Sequence, residues 1–309
     1  MLAIFLKTLP FFALIGLGWA AGRLRFFPEA ATEWLTRFVF YFALSAMLFR
    51  FAANLSLAEI FDPAFALAYL SGCTMVYLLA FGVAVLRNVS IPEASIEAQC
   101  AVIGNTGFLG VPMLTVLLGP DAAGPVLMVL AIDLIVFSSL FTLIITAARE
   151  GHLSPRIVKV LGIGLLKNPM IVSMVAGLLW SSARQPLPSP VDEFLTLLGA
   201  AATPGALFAI GASLASKTAE RVSVALWLSF AKLVLHPAAV AVAALYLFDV
   251  EPFAAGVMIA AASLPVAGNV YILARHYGVA PHRVSASILF STVISIVTVS
   301  MVIAWITDI

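Results

Sequence analysis

The chain has 309 residues, of which 63% are hydrophobic and 10% charged, with a formal net charge of +1 and a mean hydropathy of +1.12. A soluble domain of this size would be covered by charged side chains, and 16 basic with 15 acidic residues cannot cover it, so lipid must. The near-zero charge gives no basic field for nucleic acid, and no stretch is polar enough to form a separate soluble catalytic domain.

A hydrocarbon core of roughly 30 Å takes about 20 apolar residues per helix. Cutting the chain where charge, Pro and Gly interrupt such runs predicts ten spans, near 3–22, 33–53, 64–86, 95–118, 122–147, 166–182, 192–215, 222–248, 252–275 and 282–306. The first reads as a membrane helix rather than a signal peptide: Arg23 and Arg25 follow its apolar run, and no small-residue cleavage site ends it. Cys73 and Cys100 fall in apolar runs without CxxC spacing and read as packing residues. With both termini outside, the inner loops carry Arg23, Arg25, Arg87, Arg149, Arg156, Lys159, Lys167, Lys217, Arg221, Arg275 and Arg283. The outer loops then carry only Arg50 and Arg184 among basic residues, with acidic Asp121, Asp249, Glu251 and Asp308. That asymmetry supports the span count and the orientation, and the location expected is the inner cell membrane.

Sliding the chain by 159 residues lays the first five spans on the last five, pairing Pro10 with Pro169, Gly18 with Gly177 and Glu33 with Asp192. The same register pairs Leu48-Phe49 with Leu207-Phe208, Ala53 with Ala212 and Gly119 with Gly278. An odd number of helices per repeat sends the second copy into the membrane from the opposite side, the inverted architecture common in secondary transporters. The repeats are residues 1–150 and 166–309, with 151–165 as a basic cytoplasmic connection inside the longest loop, 148–165.

Gly104-Asn105-Thr106-Gly107-Phe108-Leu109-Gly110-Val111-Pro112, in the fourth span, combines three glycines, a proline and an amide where a continuous helix is expected to fail. Ser263-Leu264-Pro265-Val266-Ala267-Gly268-Asn269 does the same in the ninth, and the register lays Thr106 on Pro265 and Gly110 on Asn269. Paired breaks at matched depth point to a midplane binding site, whose half-helix N-termini offer free N–H groups to an anion. The candidate substrate contacts are Asn105, Thr106, Gly107, Pro112, Ser263, Pro265 and Asn269, led by the two asparagines, whose amides both donate and accept. A single break is often a packing kink, and hydroxyls such as Thr106 and Ser263 often bond back to their own helix.

Three ionisable residues fall well inside spans: Asp133 in the fifth, and Lys232 with His236 in the eighth. Charges there cost several kcal/mol unless paired, which makes them candidates for ion coupling; snorkelling of Lys232 is the bland alternative. Lys232 and His236 share a helix face and Pro237 is expected to bend that helix. Arg50, Tyr77 and Tyr271 read as interface or packing residues, and Glu97 and Gln99 as solvated residues at the inner end of the fourth span.

At the residues just quoted the chain resembles the auxin efflux carrier family, which includes plant auxin carriers and bacterial malonate and malate permeases. Asn105-Thr106-Gly107-Phe108-Leu109-Gly110-Val111-Pro112 is the most specific piece, supported by Ser263-Leu264-Pro265 with Asn269 and by Lys232 to Pro237; the resemblance covers essentially the whole chain. It implies an all-α membrane protein of ten helices in two inverted five-helix repeats, with spans 4 and 9 crossing at their breaks. It further implies a scaffold domain of helices 1, 2, 6 and 7, a transport domain of helices 3–5 and 8–10, and contact of Asn105 and Asn269 with a substrate carboxylate. The long cytoplasmic loop of the plant carriers is missing, as in the compact bacterial branch. Ser45 stands where the family often has a proline.

These readings converge on a secondary transporter of a small organic anion, a mono- or dicarboxylate, moving by alternating access. No cofactor is expected; a proton or sodium ion is the candidate coupling ion, and the sequence does not choose between them or uniport. Membrane lipid is the surrounding partner, nucleic acid is not one, and a homodimer is allowed. The glycines before Pro112 lack the GKS/T ending of a nucleotide loop, and His152, His236, His276 and His282 form no HExxH pattern, which disfavours an enzyme. The rival readings are a channel or membrane sensor on the same scaffold, and a carrier of a neutral or cationic metabolite.

Overall fold

The computed structural model describes residues 2–55, 62–150, 156–215 and 221–307; His152, Lys217 and Asp308 lie outside them. Among the described residues the chain is helical throughout, apart from turns and an isolated bridge between Gly104 and Val266. Helix α1 is Leu2–Arg23, α2 Glu29–Ala53 and α3 Pro63–Leu86. Ile91–Val102 forms α4, Thr106–Leu118 α5 and Pro120–Ala148 α6. Next come α7 at Arg156–Leu166, α8 at Pro169–Ser182 and α9 at Ser189–Leu214. Val222–Leu247 is α10, Pro252–Ala262 α11, Gly268–Tyr277 α12 and Pro281–Thr307 α13.

Helices α1, α2, α3, α6, α9, α10 and α13 each contain a stretch long and apolar enough to cross a membrane, and α7 with α8 passes the same test as a pair bent by 73°. The protein is a multi-pass membrane protein. Apolar side chains such as Leu17, Phe42, Leu78, Phe194, Leu197 and Val293 stand outward, as a lipid-facing surface requires. By contrast α4 and α11, of 12 and 11 residues, rise only about 16–18 Å, too short to span alone. Polar residues ahead of a proline start several helices: the side chains of Asp62, Asn168 and Glu251 accept first-turn N–H groups of α3, α8 and α11.

Small residues set the closest helix contacts. A Cβ on Gly18 of α1 would run into the Phe208 carbonyl and the Ala212 amide of α9, and one on Gly177 of α8 into the Phe49 carbonyl and the Ala53 amide of α2. The 159-residue register pairs Gly18 with Gly177, Phe49 with Phe208 and Ala53 with Ala212, so the two contacts are reciprocal.

The segment 148–165, expected as a loop, is helical over most of its described length: helix continues to Glu150, and α7 occupies Arg156–Leu166. Val160, Ile163 and Leu166 at three-residue spacing stand exposed on α7, with Lys159 and Lys167 nearby. An apolar stripe with basic neighbours suits a helix lying in a membrane surface.

Candidate functional site

The backbone of the fourth predicted span leaves the helix after Val102. Ile103 is already extended (ψ 108°), where β-branched Val102 and Ile103 are followed by Gly104 and Asn105. In the ninth span the break covers Ser263–Ala267, with Pro265 at its centre. The two unwound segments run antiparallel against each other: Asn105 N–H donates to the Pro265 carbonyl at 2.8 Å and Ala267 N–H to the Ile103 carbonyl at 3.1 Å. Each break thus satisfies groups that the other frees, and α4 and α11 point their C-termini at the crossing while α5 and α12 begin there.

Two sequence expectations are corrected at this crossing. Pro112 is not in the break; it lies inside α5, in the regular turns Val111–Leu118 that follow a π turn at Thr106–Gly110, because the wider turn accommodates the missing donor. The gapless register, which lays Gly104 on Ser263, is three residues out here: Gly104 bridges Val266, and the reciprocal bonds make Asn105 the counterpart of Ala267. The longer second break absorbs the offset, so Asn269 is no symmetry mate of Asn105.

Both asparagines nevertheless stand at helix starts beside the crossing. Asn105 is 5% exposed; its carbonyl accepts the Leu109 and Gly110 amides at 3.0 and 2.9 Å, and among the described residues no hydrogen bond reaches its side-chain amide. Asn269, second in α12, is half-buried and its Oδ1 is buried without a partner. First-turn N–H groups lack intrahelical acceptors, so both starts present donors and the positive end of a helix dipole. Thr106 and Ser263 turn inward, the Thr106 hydroxyl donating to Gly104 O at 3.5 Å and Ser263 to Ala260 O at 2.7 Å. Gly107 faces α8, where a Cβ would overlap the Met170 methyl, and Phe108 stacks on Phe40 of α2 at 6.2 Å between ring centroids. Met170 and Phe40, which the sequence did not single out, are the apolar neighbours of this helix start.

Asp133, Lys232 and His236 are at most 2% exposed, so Lys232 does not snorkel to an interface. Pro237 does not break α10; a π turn at Ala231–Leu235 precedes it, because the wider turn accommodates the missing donor. That turn brings Lys232 Nζ to 3.0 Å from His236 Nδ1 and 2.5 Å from the carbonyl of Ala262, the last residue of α11. His236 Nε2 lies 3.0 Å from Cys73 Sγ, and on the same face of α3 Tyr69 donates to Asp133 Oδ1 at 2.9 Å. The second carboxylate oxygen of Asp133 is buried without a partner among the described residues. Cys73 therefore does more than fill space: it meets the His236 ring.

Glu97 and Gln99 are also buried, at 1% and 0% exposure, rather than solvated. Glu97 receives Arg87, which follows α3, and Arg283 of α13, while Gln99 Nε2 donates to the Phe137 carbonyl at 2.5 Å. Arg283 also reaches Glu93 at 3.5 Å. This cluster ties α4 to α13 on the side of the crossing where α4 begins. Arg50, expected near an outer helix end, pairs with Asp192 through two bonds of 2.7 and 3.2 Å, and the Tyr77 hydroxyl meets Ser95 at 2.8 Å.

Unwound backbone among apolar helices persists only where protein buries it or where it borders a passage, and this chain places two such segments against each other beside unpartnered amides; the class this defines is a membrane transporter. The chain belongs to the membrane transport protein family, the family of the auxin efflux carriers, whose model matches residues 3–303. It is 32% identical over 297 residues to the "Putative malonate transporter" of Rhizobium meliloti (strain 1021), covering 95% of this chain and 92% of that protein.

Proposed function

We propose that the protein is a secondary active transporter of a small organic anion, in first place a short dicarboxylate such as malonate, working by alternating access. The observation that carries this reading is the pair of asparagines at the starts of α5 and α12, on either side of the crossing: among the described residues no hydrogen bond reaches the Asn105 side chain, and Asn269 Oδ1 is buried without a partner. Each start offers an amide, first-turn N–H groups and a positive dipole end, which suits one carboxylate apiece. The malonate named for the relative from Rhizobium meliloti agrees with that chemistry. Asn105 and Asn269 would contact the substrate, Gly107 and Pro265 would shape the crossing, and Thr106, Pro112 and Ser263 would hold the backbone around it.

Counting α4 with α5 and α11 with α12 as one span each, and α8 alone as the sixth, we read ten spans in two inverted five-helix repeats, 1–150 and 166–309, joined by a connection at 151–165 that holds α7. The reciprocal contacts of Gly18 and Gly177 support the two-fold relation. On this reading α1, α2, α8 and α9 form the scaffold and the remaining spans move against it, with both termini outside the inner membrane. Lys232, His236 and Asp133 would couple the crossing to an ion gradient, since Lys232 touches it directly.

Titrating the purified protein with malonate, malate and indole-3-acetate, with melting temperature and calorimetry as readouts, tests the substrate class. Saturable stabilisation by a carboxylate, strongest for a short diacid, is expected; indifference to all three acids together with stabilisation by a neutral or cationic metabolite would overturn it.

A further inference from the structure

The crossing contains a free helix end that something positive must serve. Helix α11 stops at Ala262, and the carbonyls of a helix C-terminus carry partial negative charge without intrahelical donors. Those of Ile259 and Ala260 are taken by Ser263, and that of Ala261 by Leu264 N–H. The Ala262 carbonyl accepts instead from Lys232 Nζ, at 2.5 Å. A Cβ on Gly104 of the opposite break would lie 3.3 Å from Nζ and 3.2 Å from the Ala261 carbonyl, so the lysine head sits between the two breaks.

The hydrogen bonds form one consistent set. Nζ donates to Ala262 O and to His236 Nδ1, which leaves the imidazole proton on Nε2, directed at Cys73 Sγ 3.0 Å away. His236 Nδ1 also lies 3.1 Å from Ala262 O, but one nitrogen cannot both accept from Nζ and donate to that carbonyl. The ammonium is fully buried and pairs with no carboxylate within 4 Å among the described residues; its balance comes from the helix end.

Building on the transporter reading, we infer that Lys232 is a tethered cation that holds the carbonyl end of the broken helix where a coupling sodium ion would otherwise bind, so that this carrier works without sodium. A sodium ion at a helix break needs freed carbonyl oxygens, and here the ammonium already occupies Ala262 O and the space against Gly104. Removing the side chain uncovers that oxygen and leaves a polar cavity of cation size; an arginine keeps a tethered charge.

The test needs no substrate, so its outcome is separate from that of the carboxylate reading. Native protein, Lys232→Ala and Lys232→Arg are purified in sodium chloride, exchanged into choline chloride at constant ionic strength, and titrated with radioactive sodium while the melting temperature is followed. Native and Lys232→Arg protein should bind no saturable sodium and melt alike in both salts. Lys232→Ala should melt lower in choline, bind sodium saturably and recover stability with the logarithm of sodium concentration. Saturable sodium binding by the native chain, or a Lys232→Ala protein indifferent to sodium, overturns the inference. Lys232→Ser is the second variant if the alanine protein does not survive purification, and the native titration decides by itself if neither does.

Discussion

Among the described residues Asn105 is buried with no hydrogen bond to its side chain, and half-buried Asn269 keeps a buried Oδ1 without a partner, a state that costs about 1–3 kcal/mol per buried group unless a ligand or water supplies the missing bond. Replacing either by alanine should weaken substrate binding by about 10-fold or more, the worth of one hydrogen bond to a charged group, and leave the melting temperature of the unliganded protein nearly unchanged. Titration calorimetry separates the two effects. Glu97 is the opposite case, a buried carboxylate held by Arg87 and Arg283. Glu97→Gln should destabilise the protein by about 3 kcal/mol, because it leaves buried Arg283 with only its longer contact to Glu93, and thermal denaturation in detergent reads the loss. The asparagines were legible in the sequence because an amide inside an apolar run is conspicuous. Glu97 was not, since its partner Arg283 lies far along the chain and only folding brings the two together. Tyr69 and Cys73 were hidden for another reason: they belong to residue types that ordinary cores use freely, and only their contacts distinguish them.

At the scale of elements, the glycines of α1 and α8 let helix backbones approach without an intervening side chain, which is the main source of helix association where lipid removes the hydrophobic drive. Gly18→Val and Gly177→Val should each cost about 1–3 kcal/mol or more through overpacking against α9 and α2. Similar losses in the two melting profiles would fit the reciprocal contacts, whereas two neutral substitutions would remove the two-fold packing from the account. The existence of the two breaks was readable from glycine, proline and asparagine, yet the position of the first was not. Pro112 drew attention as the strongest helix breaker, but the π turn before it accommodates its missing donor, and the chain unwinds upstream at Ile103–Asn105 instead. Helix α7 escaped notice because its 11 residues are too few for a span and its basic neighbours read as a loop.

For the whole molecule, α4 and α5 together with α11 and α12 are joined by main-chain bonds between Ile103, Asn105, Pro265 and Ala267, so the crossing is one unit shared by both halves of the chain. The periodicity of apolar runs conveyed the all-helical membrane class, because transfer energetics act residue by residue, while the orientation rests on the lysine and arginine distribution alone. Which helices move depends on packing between surfaces, which composition does not encode. The orientation is checked with single cysteines: Gln185→Cys, at an exposed turn after α8, should react with an impermeant maleimide on intact cells, and Asn88→Cys, at an exposed turn after α3, only after permeabilisation.

The central claim is that a carboxylate crosses the membrane at the paired breaks. The measurement that addresses it most directly is uptake of labelled malonate into proteoliposomes holding the native protein or Asn105→Ala, under imposed proton and sodium gradients in turn. The account predicts saturable uptake by the native chain, the same with choline in place of sodium, and its loss in a variant that still melts like the native protein. Equal uptake by Asn105→Ala, or native protein that moves no malonate under any gradient, would contradict it.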